Sequence, residues 1–191
     1  MIRPDLRTPL PTLIKSATEK NHLELEAAIA PVWERLSEPG VYARLLSAFY
    51  GFFAPVEKRI EEHFPTDALP DFAERRKASW ILSDLRALGV HDTPAQSSFL
   101  PTIADADSAW GALYVLEGST LGGRHICGII RKALPDAPLR FFEGYGADTG
   151  PRWVAFRSAL EAWGDSHEPA PVTEAADLTF LNFRQWIKQT L

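Results

Sequence analysis

Two stretches of this sequence hold residues whose types and spacing could do chemistry. The first is Thr18-x-x-x-His22-x-x-x-Glu26, in which helical spacing sets Thr18 and Glu26 one turn on either side of His22. A carboxylate at that distance can accept the proton of one imidazole nitrogen, which fixes the tautomer and makes the other nitrogen a better metal donor. A histidine at the edge of an apolar stripe also serves as a hydrogen-bonded structural residue, and both readings stand here. The second stretch runs from Leu113 to Gly128 and contains Gly118, Gly122, Gly123 and Gly128 in a helix-like pattern. Each glycine costs about 1 kcal/mol relative to alanine inside a helix, roughly 4 kcal/mol in all, against a total stability of about 5–15 kcal/mol. Ser119, Gly122 and Gly123 fall to the same side, with Gly118 one turn before Gly122, so one face is nearly bare backbone. Such a face lets another helix approach closely, or admits something flat.

Other chemistries fit poorly. Glu19-Lys20-Asn21-His22 has the Glu-x-x-His form of di-iron bundles, but those need a second copy, and Ile60, Leu88, Gly122 and Gly164 stand three residues before the remaining histidines. A phosphate-cradling glycine loop needs a preceding strand and a different spacing. The lone Cys127 makes neither an internal disulfide nor a cysteine-rich zinc site, and reads as a small apolar filler in a reducing compartment. With 20 basic against 25 acidic side chains the net charge is -5, which argues against nucleic acid as a partner. No apolar run reaches about 18 residues, and Met1 to Asp5 open no signal-peptide pattern, so the expectation is a cytoplasmic protein without a membrane anchor.

The elements that must position these residues are helices. A length of 191 residues, 46% hydrophobic and 24% charged, suits one globular domain over 1–191. Apolar residues recur at helical spacing, and proline and glycine clusters cut the chain into about six helices. The first is predicted from Thr12 until Pro31 disturbs it, and the second from Ser37, with Pro39 in its first turn, to about His63, with Pro55 as a possible bend. Asp71 and Glu74 resemble a capping box opening a third helix that stops at Gly89. Residues 90–103 form a long loop expected to pack as an ordered strap. One helix is predicted from Asp105 to Ala133, another from Pro151 to Gly164, and the last from Thr173 to Trp186. The six tryptophans are scattered and read as packing residues.

A helix with one well-placed histidine and a later helix bare on one face are the two halves of a haem sandwich. Thr18-x-x-x-His22-x-x-x-Glu26, followed by Tyr114-Val115-Leu116-Glu117-Gly118-Ser119-Thr120-Leu121-Gly122-Gly123, resembles the haem oxygenases over nearly the whole chain. The bacterial branch, including members that make the bilin of bacteriophytochromes, is the most similar. The resemblance implies an all-α, single-domain helical bundle with haem between the first helix and a glycine-kinked distal helix. It implies haem as substrate and cofactor together, O2 and reducing equivalents as co-reactants, and biliverdin, CO and iron as products. His22 would be the proximal iron ligand, supported by Glu26; Gly118, Gly122 and Gly123 would form the distal wall. Lys15 and Arg157 match basic residues that pair with haem propionates, and Phe180 and Asn182 match a segment of the last helix flanking the pocket. Ser119 stands where mammalian-type members carry an aspartate, so proton delivery must run through a hydroxyl or a water chain, with Gly118 and Gly122 confining the reacting site. His125, two residues past Gly123, is placed outside the site.

Electrons must come from an external electron donor, and Arg75-Arg76-Lys77 or Arg131-Lys132 could dock an acidic ferredoxin or a flavin reductase; a bacteriophytochrome is a further partner the resemblance suggests. Two alternatives stay open at this point: a non-catalytic haem carrier or sensor on the same fold, and a haem-free thiaminase-like helical enzyme.

Overall fold

The computed structural model describes residues 8–75 and 77–191. Met1 to Asp5 and Arg76 therefore lie outside the described residues. Among those described, the chain is all-α, with no strand: α1 (Leu10–Glu34), α2 (Val41–His63), α3 (Ser79–Ala87), α4 (Ala106–Gly118), α5 (Gly123–Ala133), α6 (Arg140–Glu143), α7 (Thr149–Gly164) and α8 (Pro169–Thr190). Prolines open α1 and α8, where a missing N–H is harmless.

Several boundaries differ from the sequence reading, each for a physical reason. α1 continues through Pro31 to Glu34, since a proline one turn from a helix end disturbs few bonds. α2 starts at Val41 rather than Ser37, because Gly40 takes a left-handed φ of 77° just before it; Pro55 lies inside α2 without ending it. The capping box at Asp71 does not form. The Asp71 carboxylate is engaged instead by Arg75 and Arg152, and the segment makes short 3-10 turns before α3 begins at Ser79. The long helix from Asp105 to Ala133 is broken into α4 and α5 by a 3-10 turn at Ser119–Gly122.

Two caps come from distant helices. Glu57 of α2 accepts the Ala78 N–H (2.7 Å) at the start of α3, and Asp84 of α3 accepts the N–H groups of Arg140 (3.0 Å) and Phe141 (2.9 Å) at the start of α6. Both serve the orphan donors of a helix N-terminus. Burial raises the pKa of each carboxyl, while those N–H donors act in the opposite direction.

α8 is the central rod, packed on both α1 and α4. The α4 contact is backbone on backbone: a methyl group on Gly111 would overlap the Val172 carbonyl oxygen and crowd Ala175 and Ala176. The α1 contact is partly polar, with Asn21 donating to Asp177 (2.7 Å) and Arg184 paired with Glu24. Phe49, Phe52 and Phe53 of α2 meet Phe183 of α8, with Phe52 and Phe183 stacked at 4.6 Å. The expected strap is present: the Ser97 N–H bonds to the Gly51 carbonyl (2.8 Å), and Arg59 donates to the Pro101 carbonyl (2.8 Å).

Because only a bare Cα fits between α4 and α8, Gly111→Ala is expected to lower folding stability by about 1–3 kcal/mol, read as a reduced midpoint in urea unfolding.

Candidate functional site

His22 projects from the middle of α1 with its side chain 49% exposed. Its ring meets Phe180 of α8 edge-on, with centroids 5.3 Å apart. Glu26 Oε1 lies 3.5 Å from His22 Nε2, within ion-pair range and longer than a good hydrogen bond. His22 and Glu26 are thus brought together, as the spacing predicts, and the fold adds Phe180 to them. Thr18 is buried, and its hydroxyl donates to the Ile14 carbonyl (2.9 Å). Lys15, two turns before His22, is exposed and makes no ion pair among the described residues.

The glycines divide into two kinds. A methyl on Gly123 would overlap the carbonyl oxygen of Phe142, so that glycine is required by the packing of α5 on α6. Gly118 and Gly122 have ordinary right-handed helical φ values of -59° and -76°. Methyl groups there would stand 3.6 Å from Trp153 and 3.8 Å from Ile126, ordinary contact distances. Neither position needs glycine for backbone conformation or for close packing, so their bareness is unexplained by the fold. Between them, Ser119 is exposed and its hydroxyl donates to the Leu116 carbonyl (2.7 Å). Thr120 does the same to the Glu117 carbonyl (2.6 Å). The two hydroxyls thus bond carbonyls at the α-to-3-10 transition.

α7 stands beside this stretch. Trp153 stacks on Phe156 (5.5 Å, 19°) and meets Tyr114, one turn before Gly118. Burial raises the Tyr114 pKa, and the positive charge of Arg157 pulls the other way, which puts the exposed Arg157 guanidinium within electrostatic reach of that phenol. Tyr114, Gly118, Trp153 and Arg157 therefore share one neighbourhood. Asn182 donates to the Leu178 carbonyl within α8 (2.7 Å), and His125 is exposed on α5.

Sequence reasoning missed the group that anchors the glycine stretch. Glu117, immediately before Gly118, is 3% exposed and accepts from Arg75 (2.5 Å) and from the Tyr145 hydroxyl (2.8 Å). Arg75 is itself 2% exposed, which corrects its assignment to a docking surface. Burial opposes its charge, but Glu117 and Asp71 more than offset that and raise its pKa. The available signal was a lone glutamate ending the apolar run Leu113–Leu116, since a buried carboxylate demands a cationic partner. The other proposed docking pair is exposed, with Arg131 bonded to Glu143 (2.5 Å). A groove of about 890 Å³ is lined by Thr120, Arg124, Cys127, Arg140 and Tyr145 among others, and not by Gly118 or Gly122.

Among the described residues, no group of three or more histidine, cysteine or acidic side chains could hold a bare metal ion. A lone accessible imidazole suits a metal that arrives with most of its ligands, as iron does in a porphyrin. The chain matches the Heme oxygenase family model over residues 8–189. It belongs to the heme oxygenase family. A heme oxygenase of Xanthomonas campestris pv. campestris (strain 8004) is 33% identical over 123 residues, which cover 63% of this chain and 72% of that protein. The heme oxygenase of Neisseria meningitidis, solved with NO and CO bound, superposes with a TM-score of 0.82 at 20% identity, covering 96% of this chain and 92% of that one. That of Leptospira interrogans gives 0.75 at 20% identity, covering 95% and 100%. The heme oxygenase fold is therefore shared, and family membership makes haem the substrate and haem degradation the activity. The thiaminase-like alternative is set aside. No helix among the described residues is long and apolar enough to cross a membrane.

If Gly118 and Gly122 are bare for a ligand rather than for the fold, Gly122→Ala should leave folding unharmed or raise stability by about 0.5–1 kcal/mol through helix propensity. Gly123→Ala, forced against the Phe142 carbonyl, should lower it by about 1–3 kcal/mol. Parallel thermal and urea melts of the haem-free variants check the contrast.

Proposed function

We propose that this heme oxygenase holds haem between His22 of α1 and the backbone of Gly118, Gly122 and Gly123, and opens the ring with O2 and reducing equivalents to biliverdin, CO and iron. The observation that carries this reading is the pair of glycines in ordinary helical conformation with no packing need to be glycine. A flat macrocycle against that bare face gives them a use.

Each other residue then has a task set by its surroundings. The accessible His22 imidazole supplies the proximal nitrogen, Phe180 limits its rotation from one side, and Glu26 is close enough to favour one tautomer. Lys15 and Arg157, both exposed, would pair with the haem propionates, with the guanidinium offering the better fork for a carboxylate. Bound haem contributes the iron at which O2 is reduced. With haem bound, the backbone at Gly118 and Gly122 would form the wall that confines the reacting site. The Ser119 hydroxyl donates to the Leu116 carbonyl, so a neutral hydroxyl stands where an aspartate would ionise, and proton delivery would run through that hydroxyl or a water chain.

The electron donor is read as a ferredoxin or flavin reductase, for which the exposed Lys132 and Arg124 on α5 offer positive charge. The chain is read as one cytoplasmic domain over 1–191, with a bacteriophytochrome as a possible recipient of the bilin.

Hemin added to the wild-type protein is expected to give a Soret band with an iron–histidine signature that His22→Ala loses. Gly122→Leu should weaken hemin binding about tenfold, equivalent to about 1.4 kcal/mol. Reductant under oxygen should then turn the wild-type complex green, with biliverdin identified by mass. Retention of the haem spectrum under those conditions would favour the carrier or sensor reading, and an unchanged spectrum in the His22 variant would remove His22 from its role.

A further inference from the structure

The carboxylate of Glu117 and the guanidinium of Arg75 form a buried pair directly behind the kink, and neither is needed to touch haem. Arg75 does more than neutralise Glu117. Its Nε and Nη2 lie 3.0 and 2.9 Å from Asp71 Oδ1, Nη2 donates to the backbone carbonyl of Arg152 (3.2 Å), and the guanidinium rests over the Phe156 ring (5.6 Å). Arg152 bonds Asp71 Oδ2 (3.1 Å) and lies over the Tyr145 ring (4.9 Å), and Tyr145 returns to Glu117 (2.8 Å). The five side chains close a circuit that joins the end of α4, the turn at Asp71, the loop before α7 and the first turns of α7.

Two consequences bear on the glycine face. Glu117 is the last side chain before Gly118, where the α-helix gives way to the 3-10 turn, so its anchor fixes where the helix leaves its axis. Arg152 precedes Trp153, whose ring stands 3.6 Å from where a methyl on Gly118 would lie. Holding the Arg152 carbonyl therefore also holds the tryptophan wall beside the bare backbone. Burying two charges is expensive, and an apolar pair of similar volume would often be at least as stable. What the ion pair adds is direction, since a guanidinium bonded on several edges tolerates little displacement.

We propose that the Glu117–Arg75 pair is the positioning device of the distal helix, setting the kink at Gly118 and the stance of Trp153 against it. Its effect on haem rests on the glycine face being the haem-facing surface, while the positioning itself is a property of this chain alone. The test therefore has two readouts. In the haem-free protein, amide exchange over 118–123 is expected to quicken about tenfold or more in Glu117→Gln and in the paired Arg75→Met/Glu117→Leu variant, with α8 unchanged. Tyr145→Phe, which keeps both charges, should quicken it by a smaller factor, about four- to fivefold. In hemin complexes, azide affinity at the ferric iron should change about fivefold or more, while the iron–histidine stretch set by His22 stays in place. If Glu117→Gln fails to fold, the paired variant and Tyr145→Phe decide. Folded variants whose exchange over 118–123 stays within about twofold of wild type would overturn the proposal, as would an azide affinity that does not move. A wild-type protein that gives no Soret band would instead bring down the site reading, with the exchange comparison still deciding the role of the pair.

Discussion

The structure depends on how closely backbone can approach backbone along one broken helix. At Gly111 the α4 chain lies against the Val172 carbonyl of α8, and at Gly123 the α5 chain lies against the Phe142 carbonyl of α6. A single methyl at either point would push the elements apart. With the two ends fixed in this way, the segment between them has little freedom to choose its path. Glu117 takes up what freedom is left, because a buried carboxylate moves only if its partners move with it.

Around that segment the core is unusually aromatic. Phe49, Phe53, Phe141, Phe142 and Phe183 pack mainly edge to face, and Trp110 is fully buried between Phe64, Phe156 and Trp163. Large rigid rings fill volume with few rotamers to lose. They also join elements distant in sequence: Phe142 touches Trp33 of α1 and Phe49 of α2 while its carbonyl receives Gly123. The scaffold behind the glycine stretch is therefore stiff, while the residues assigned to ligand contact, His22, Lys15, Ser119 and Arg157, stand on exposed faces of helices. Rigid support with accessible functional groups is what an enzyme needs when its substrate must enter and its altered product must leave.

The chemical economy of the site follows from haem itself. The macrocycle brings the metal and four of its ligands, so on the proposed reading the protein would need to supply only one nitrogen, a confining wall and charges for the propionates. This accounts for a chain with 5 histidines and one cysteine that assembles no multidentate metal centre among its described residues. On the proposed reading a bare helix face carries as much functional information as a reactive side chain: Gly118 and Gly122 would act by what they leave out.

Local sequence determined a good deal. The i, i+4 spacing of His22 and Glu26 survives folding because both lie within one helix turn, and the excess of glycine after Leu116 marked the segment where the helix gives way to a 3-10 turn, because its helix penalty is intrinsic to the residue. The helical class and the strap over 90–103 were legible for the same reason, periodicity and proline being properties of the chain itself. What tertiary structure decided were the competitions that sequence cannot score. Asp71 looked like a cap until Arg75 and Arg152 took its carboxylate, and Arg75 looked like surface charge until Glu117 drew it inside. Gly123 was indistinguishable from Gly122 until the Phe142 carbonyl arrived at one and not the other. Each outcome turns on a partner more than 15 positions away, and only the folded chain brings such partners within bonding distance.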